Sequence, residues 1–331
     1  MSTPVIAEPA AAAAAAKGGP TLGQRLTSLM PVIALVALLG ALTIADPDFF
    51  TQRSLTAAAR TASPLIVLAA GATLVVLCGG IDLSIAALAS LSTVFFAMWL
   101  PDLGGLTTFA VIGVAAAIGA VQGIAHVFLR IPSFIVTLGG MSIFSAIALV
   151  VSDAGPIRIV DRDATSWLNM YVGGYIPVSV VVAVVVVAAI SLVLRLTPLQ
   201  SWITATGYSE SAARLAGTPV DLVKIGAFCV SGACAGLAAI MLVSRNFSGS
   251  PTMADNLLLP AVAAIVVGGT AITGGHGSVW RSLAGALVVS LLRVGLPIVG
   301  VPSAYEQILY GAIIVAAVAL TLDRSKVLII K

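Results

Sequence analysis

Uncharged apolar runs recur along most of this chain and restrict its fold more than any other pattern in it. The first is Leu29–Ala45 and the last is Gln307–Leu322. A helix that spans a bilayer needs about 20 predominantly apolar residues, and most of the runs approach that length. Only 9% of the residues are charged and 60% are hydrophobic, whereas a soluble domain carries about 25% charged residues. The chain is therefore predicted to be an integral membrane protein.

The runs predict an all-α, polytopic helical bundle of about ten transmembrane helices, some of them broken. The ten candidate spans are Leu29–Ala45, Pro64–Cys78, Leu83–Leu100, Leu106–Ala125, Ser133–Val151, Pro177–Leu194, Ile225–Val243, Leu257–Thr270, Ser282–Pro297 and Gln307–Leu322. The 32 glycines favour close contacts between helices. Two GxxxG spacings, Gly119–Gly123 and Gly232–Gly236, suit such contacts particularly well.

The domain organisation follows from the same pattern. Residues 1–24, which contain prolines and an alanine tract, are predicted to be a disordered cytoplasmic tail. Residues 25–331 form one transmembrane domain with a polar loop at 197–224. Lys and Arg are enriched in cytoplasmic loops, and ten spans that start from a cytoplasmic N-terminus place ten basic residues inside and five outside. Both termini are therefore predicted to be cytoplasmic. The five outside residues are Arg53, Arg60, Arg158, Arg162 and Arg245.

Residues 206–221, called the knob below, form the most polar helix-turn segment of the chain. Ser209 is placed to cap a short helix and Glu210 lies in its first turn, where a negative charge is favourable. Gly217 provides a left-handed end, and Thr218 is predicted to cap the next helix. A short amphipathic helix that faces water suits the docking of a soluble partner, although an ordinary solvated connector has the same shape.

Two glycine pairs predict broken helices. Gly79 and Gly80 follow a short apolar run and precede a polar turn, and Gly268 and Gly269 repeat that order. Glycine-interrupted segments in corresponding halves of a transporter indicate an internal repeat and a substrate pathway.

Four polar side chains in or beside the spans are candidates for the substrate pathway. Asp82 either caps the helix that follows it or contacts the solute. Arg293 is costly in a membrane, so it should face a wet cavity or pair, with Asp82 or Glu306 as the partner. The other two candidates are Ser84 and Gln122, and Asn246 and Asn256 are further polar residues in or beside spans.

The sequence offers no catalytic, cofactor or metal site. No GxxxxGK[ST] phosphate loop fits the glycine-rich run at 268–278, and the two histidines, His126 and His276, are far apart in the chain. The net charge of +3 is too small to indicate nucleic-acid binding. Energy must therefore come from an ion gradient or from another subunit. A gradient-driven carrier usually has several intramembrane acids, and here Asp82 is the one acid well inside an apolar region.

Three stretches together resemble the permease subunits of ribose/xylose/arabinose-type bacterial ABC importers. They are Gly71–Ser84, Ala205–Ile225 and Val267–Val279. The second matches the pattern AARLxGxxVDxVKI of that family's cytoplasmic coupling loop, and the resemblance extends from about Pro47 to Lys326. Arg293 departs from the family, in which asparagines are frequent at this place.

The resemblance implies a non-catalytic subunit in the bacterial inner membrane that imports a sugar with another subunit's ATP. A cytoplasmic ATP-binding subunit would receive the knob, and a periplasmic sugar-binding protein would deliver the solute to outer loops, namely 152–176 and 244–256. A second permease copy or a sister permease would complete the pathway. The coupling residues implied are Gly207, Ser209, Glu210, Ala213, Arg214 and Gly217.

Overall fold

The computed structural model describes residues 22–321, which are mostly helical. The helices are α1 Leu22–Ala45, α2 Gln52–Leu77, α3 Ile85–Leu103, α4 Thr107–Phe128, α5 Ser133–Val151, α6 Asp163–Ser166, α7 Val178–Leu196, α8 Leu199–Tyr208, α9 Glu210–Leu215, α10 Val220–Asn246, α11 Leu258–Val267, α12 Val279–Ile298 and α13 Glu306–Thr321. The strands are β1 Ile157–Arg158, β2 Tyr171–Val172, β3 Ile176–Pro177 and β4 Ser248–Gly249. Residues 1–21 of the predicted tail, together with Arg324, Lys326 and Lys331, lie outside the described residues.

A helix lies at each of the ten predicted spans. Among the described residues, six continuous apolar stretches are long enough to cross a membrane, and one of them, 85–128, contains both α3 and α4. Three further apolar helices are shorter, at Leu35–Ala45, Asp255–Val267 and Glu306–Ala316. The all-helical membrane architecture is therefore confirmed, whereas the number of about ten spans stays a prediction.

Helices α2 and α10 form the centre of the bundle. In the apolar stretch of α2, 89% of the residues are buried, and α10 follows with 67%. In α5 and α7 the corresponding share is 22%, so most of their apolar side chains face outward. A helix that is apolar on all sides is stable either in a protein core or against lipid. In this bundle α2 lies in the protein core, whereas the apolar side chains of α7 suit contact with lipid.

The two predicted GxxxG motifs pack against each other where α4 crosses α10. A Cβ atom added at Gly119 would lie 2.2 Å from the Phe228 carbonyl oxygen, and one added at Gly232 would lie 2.2 Å from the Ala115 carbonyl oxygen. The second glycine of each motif is also too close to the facing helix for a side chain. Without side chains between them the two backbones approach closely, which is how small residues stabilise helix pairs in membranes.

The bundle has two distinct ends. At one end, β1 pairs with β4 in an antiparallel ladder, with Ile157 opposite Gly249 and Arg158 opposite Ser248. This ladder joins the two loops that were predicted to be external, and we call this side the ladder end. The other side carries the knob and is called the knob end. Because α10 starts beside the knob and ends beside the ladder, its 27 residues separate the two ends by about 40 Å.

Basic residues lie at both ends of the described bundle. Arg130, Arg214 and Lys224 line one groove at the knob end. At the ladder end, Arg60 donates a hydrogen bond to Asn169, and Arg162 stacks 4.6 Å from the centre of the Phe247 ring.

Candidate functional site

The knob folds as a short capped helix. The Ser209 hydroxyl oxygen accepts a hydrogen bond from the Ala212 N–H at 3.3 Å, so the predicted cap is present. Helix α9 ends at Leu215. Gly217, two residues further on, has a φ of +81° and donates its N–H to the Arg214 carbonyl at 3.0 Å. The predicted cap of the next helix is wrong. Helix α10 begins at Val220 after Pro219, which makes no side-chain capping bond, and Thr218 instead closes the α9 turn with its backbone N–H.

Four charged side chains connect α9 to α10. Arg214 pairs with Glu210 at 3.0 Å and also with Asp221, and Lys224 Nζ lies 2.6 Å from Glu210 Oε2. The hydrogen bond from Lys224, assisted by that from Arg214, holds the pKa of the Glu210 carboxyl below its usual value. Exposed pairs contribute little to stability individually. Together they fix the angle between the short helix and the long one.

The outer side of the knob presents apolar surface. Leu215 is 91% exposed, and Tyr208 and Leu222 are 71% and 70% exposed, whereas Ala213 is buried against the bundle. A groove of about 670 Å³ separates the knob from the turn between α4 and α5, where Arg130 lies. Exposed apolar side chains beside a polar groove are typical of a contact site for another protein.

Both predicted glycine pairs end a helix, and they do so with the same hydrogen bonds. After α2, the N–H groups of Gly79 and Gly80 bond to the carbonyls three and five residues earlier, at 2.9 and 3.0 Å. After α11, Gly269 and Thr270 repeat this pattern at 2.8 and 3.1 Å, and Gly268 is the last residue before the turn. Gly79 and Gly269 have φ values of +80° and +78°. This is the Schellman arrangement, which needs a residue in the left-handed region. That the turns line a substrate pathway stays a prediction.

The first glycine turn, the knob and the loop that follows the second glycine turn meet at one point, called the glycine junction below and formed by Gly79, Gly207, Gly274 and Gly275. The Gly275 N–H bonds to the Leu77 carbonyl at 2.9 Å. A Cβ at Gly207 would lie 2.0 Å from the Leu77 oxygen, and one at Gly274 would lie 2.7 Å from the Gly79 Cα. Only glycines permit this approach of three backbones. The sequence analysis missed Gly274 and Gly275, although the glycine-rich run that contains them was visible.

Three of the four predicted pathway residues lie together in the core. Asp82 Oδ1 accepts hydrogen bonds from the Ser84 N–H at 3.0 Å and the Ser84 hydroxyl at 2.7 Å. Gln122 Nε2 donates to Ser84 Oγ at 2.9 Å. Ser231, which the sequence analysis did not select, donates its hydroxyl to Asp82 Oδ2 at 2.8 Å. Asp82 is therefore bonded to the backbone at the start of α3, as the capping alternative predicts.

Arg293 lies apart from this network. Its Nε is 3.4 Å from Glu306 Oε2, so Glu306 is its partner and Asp82 is not. Arg293 lines a cavity of about 510 Å³ at the ladder end together with Arg245, Asn246 and Asn256. We call this space the Arg245 cavity. Within residues 22–321 no group of three or more His, Cys, Asp or Glu side chains is arranged to hold a metal ion.

The fold and these sites define a multi-pass, all-helical membrane protein with a polar docking-type helix at one end and a polar cavity at the other. A match to a known protein family identifies more specifically what kind of membrane protein this is. The chain belongs to the branched-chain amino acid transport system / permease component family, whose model matches residues 54–318.

Curated relatives extend over most of the chain. The ribose import permease protein RbsC of Haemophilus influenzae is 33% identical, over 90% of this chain and 94% of that protein. The fructose import permease protein FrcC of Rhizobium meliloti is 32% identical, over 88% of this chain and 84% of that protein. The D-allose transport system permease protein AlsC of Escherichia coli is 31% identical, over 86% and 88%. The resemblance to sugar permeases is thereby confirmed.

Proposed function

We propose that this chain is the membrane-spanning permease subunit of an ABC importer that moves a monosaccharide or a related small polar solute inward. Ribose, fructose and allose, for which the relatives are named, are all monosaccharides. The chain itself catalyses no reaction and binds no cofactor, and ATP is bound and hydrolysed by a separate subunit.

The observation that carries this proposal is the coupling of the knob to the glycine junction. A partner that pushes on α9 would act on Gly207, whose backbone touches both the end of α2 and the turn at Gly275. Because interfaces without intervening side chains cannot absorb a displacement, movement of the knob would pass directly to the end of α2 and to the loop that precedes α12. This is a route by which an ATPase could switch the bundle between its two access states.

The knob end is accordingly assigned to the cytoplasm of a bacterial cell, with both termini on that side of the inner membrane. The basic residues at the knob end support this orientation through the positive-inside rule. At the ladder end, a periplasmic sugar-binding protein would dock on the loops 152–176 and 244–256, which β1 and β4 hold together. A second permease copy or a sister permease would complete the pathway.

Matched substitutions in the knob test the proposal. The full transporter, reconstituted in proteoliposomes with its ATPase and binding protein, is assayed for ATP hydrolysis and sugar uptake. We expect Gly217→Val and Glu210→Lys to reduce uptake at least tenfold while the protein still inserts, since the first strains a left-handed residue and the second breaks the pairs with Arg214 and Lys224.

Two controls lie at the ladder end. Gly300 has a φ of +78° and, like Gly217, open space around it, so Gly300→Val reproduces the strain without touching the knob. Asp102 is exposed at the end of α3, so Asp102→Lys reproduces the charge reversal. Uptake that is equally reduced in variants and controls would remove the knob from this role. Uptake without ATP would favour a gradient-driven carrier, and saturable ATP binding to the purified chain would contradict its non-catalytic role.

A further inference from the structure

From the charges around the Arg245 cavity we infer that the solute of this permease is an anionic monosaccharide, such as a sugar acid, whose carboxylate binds between Arg245 and Arg293. This inference rests on the proposed function, and it narrows the class of solute. The cavity's volume of about 510 Å³ falls within the range of about 300–1,000 Å³ that is common for small-molecule sites. It opens at the ladder end, where solute would enter.

Positive charge at this cavity exceeds negative charge. Arg245 experiences repulsion from Arg293 and from Arg60, so three guanidinium groups lie within electrostatic reach of one another. Among the side chains that the structure describes, Glu306 is the carboxylate that pairs with one of them. The nearby Asp255 accepts a hydrogen bond from Ser90 instead.

The two lining arginines keep most of their donors available. A guanidinium has five N–H donors. In the described structure Arg245 uses one of them, on the Thr61 hydroxyl at 3.0 Å, and Arg293 uses its Nε on Glu306. A carboxylate is the planar acceptor that matches the remaining fork of donors, and the resulting hydrogen bonds are charge-assisted.

The remaining lining groups suit sugar hydroxyls. The Asn256 side chain makes no hydrogen bond to any described residue, while Asn246 Nδ2 donates to the Leu242 carbonyl at 2.9 Å and leaves its oxygen available. Ser250 lines the same wall. A neutral sugar could use these groups, but it would leave Arg245 without an anionic partner, because Glu306 pairs with Arg293.

Equilibrium dialysis of the purified full chain in lipid nanodiscs tests the inference with radiolabelled D-glucuronate and D-glucose. We expect saturable glucuronate binding that is at least tenfold tighter than glucose binding at low ionic strength, and that weakens as salt is raised. Arg245→Gln should weaken glucuronate binding at least tenfold and leave glucose binding unchanged. Arg245→Lys should retain part of the glucuronate binding because it keeps the charge, which also reports that the site is folded.

Arg53→Gln is the matched control. Arg53 is an exposed arginine in the first turn of α2, at the same end of the bundle but outside the cavity lining, so its substitution should leave glucuronate binding unchanged. Equal affinities for glucuronate and glucose, no binding of either, or no effect of Arg245→Gln would overturn the inference.

The assembled transporter separates this inference from the proposed function. ATP-dependent uptake of a neutral sugar that is unaffected by Arg245→Gln would refute the anionic solute and leave the permease role standing. Loss of binding-protein-stimulated ATP hydrolysis in Arg245→Gln, without glucuronate binding to the purified chain, would also refute it, because the guanidiniums would then receive carboxylates of the binding protein.

Discussion

Asp82 is buried in the core, with its carboxylate bonded to residues of two different segments. Ser84 precedes α3 and Ser231 lies within α10, and both donate to Asp82. A charged group in a membrane interior is tolerated when such bonds satisfy it. The hydrogen bonds from Ser84 were predictable because Ser84 is only two residues from Asp82 in the chain. Ser231 is 149 residues away, and no local pattern identifies it.

Removal of this carboxylate should destabilise the protein. Asp82→Ala leaves the Ser84 N–H and the Ser231 hydroxyl without an acceptor, and each buried unsatisfied group costs about 1–3 kcal/mol. Asp82→Asn keeps one acceptor oxygen and should cost less. The measurement is the free energy of unfolding in detergent. The control is Asp102→Ala, at an exposed position of the adjoining helix, which should leave the free energy of unfolding nearly unchanged. If Asp82→Ala lowered that free energy no more than Asp102→Ala does, the hydrogen-bond network would contribute nothing to stability.

At the scale of elements, the decisive contact is the crossing of α4 and α10. The GxxxG spacings predicted close helix contacts, and the structure confirms them. The sequence could not show that the two motifs face each other, because a small residue accepts many partners. The sequence likewise predicts only some of the charge pairs at the knob. Glu210 and Arg214 are one turn apart and could be anticipated, whereas Lys224 reaches Glu210 only because α10 folds back beside α9.

A side chain at the helix crossing should separate the two helices. Gly119→Val places atoms against the Phe228 carbonyl, and overpacking of this kind costs about 1–3 kcal/mol. Gly113 lies on the same helix with nothing within 4 Å, so Gly113→Val is the control and should change stability little. The readout is the thermal unfolding midpoint in detergent. Equal midpoints for the two variants would mean that the crossing is loose in solution.

At the scale of the whole molecule, the chain connects the knob to a polar cavity about 40 Å away along α10. The central helix α2 reaches both ends, because Thr61 lines the Arg245 cavity and Leu77 forms part of the glycine junction. A displacement at one end can therefore reach the other through a single buried helix.

The glycine junction should be less tolerant of substitution than other glycines of the same backbone conformation. Gly274→Ala and Gly300→Ala both place a side chain at a φ near +80° to +90°, which costs about 1–2 kcal/mol. Gly274→Ala additionally forces the backbone of Gly79 away. We expect a larger fall in the thermal unfolding midpoint and in sugar uptake for Gly274→Ala. If Gly274→Ala lowered the unfolding midpoint and the uptake no more than Gly300→Ala does, the backbones at the junction would be able to move apart without affecting stability or transport.

Composition and local spacing were sufficient to establish a helical membrane protein, the capped knob and the two glycine breaks. Hydrocarbon excludes charge whatever the fold, and a cap or a left-handed turn involves residues within one or two helical turns of each other. The three-dimensional arrangement was needed to join Gly207 to the end of α2 and to the turn at Gly275, to pair Arg293 with Glu306, and to place Arg245 and Arg293 around one cavity. Those contacts depend on how α2, α10 and α12 pack. The side chains between these helices are mostly small and apolar and fit many partners, so the sequence alone does not determine how the helices pack.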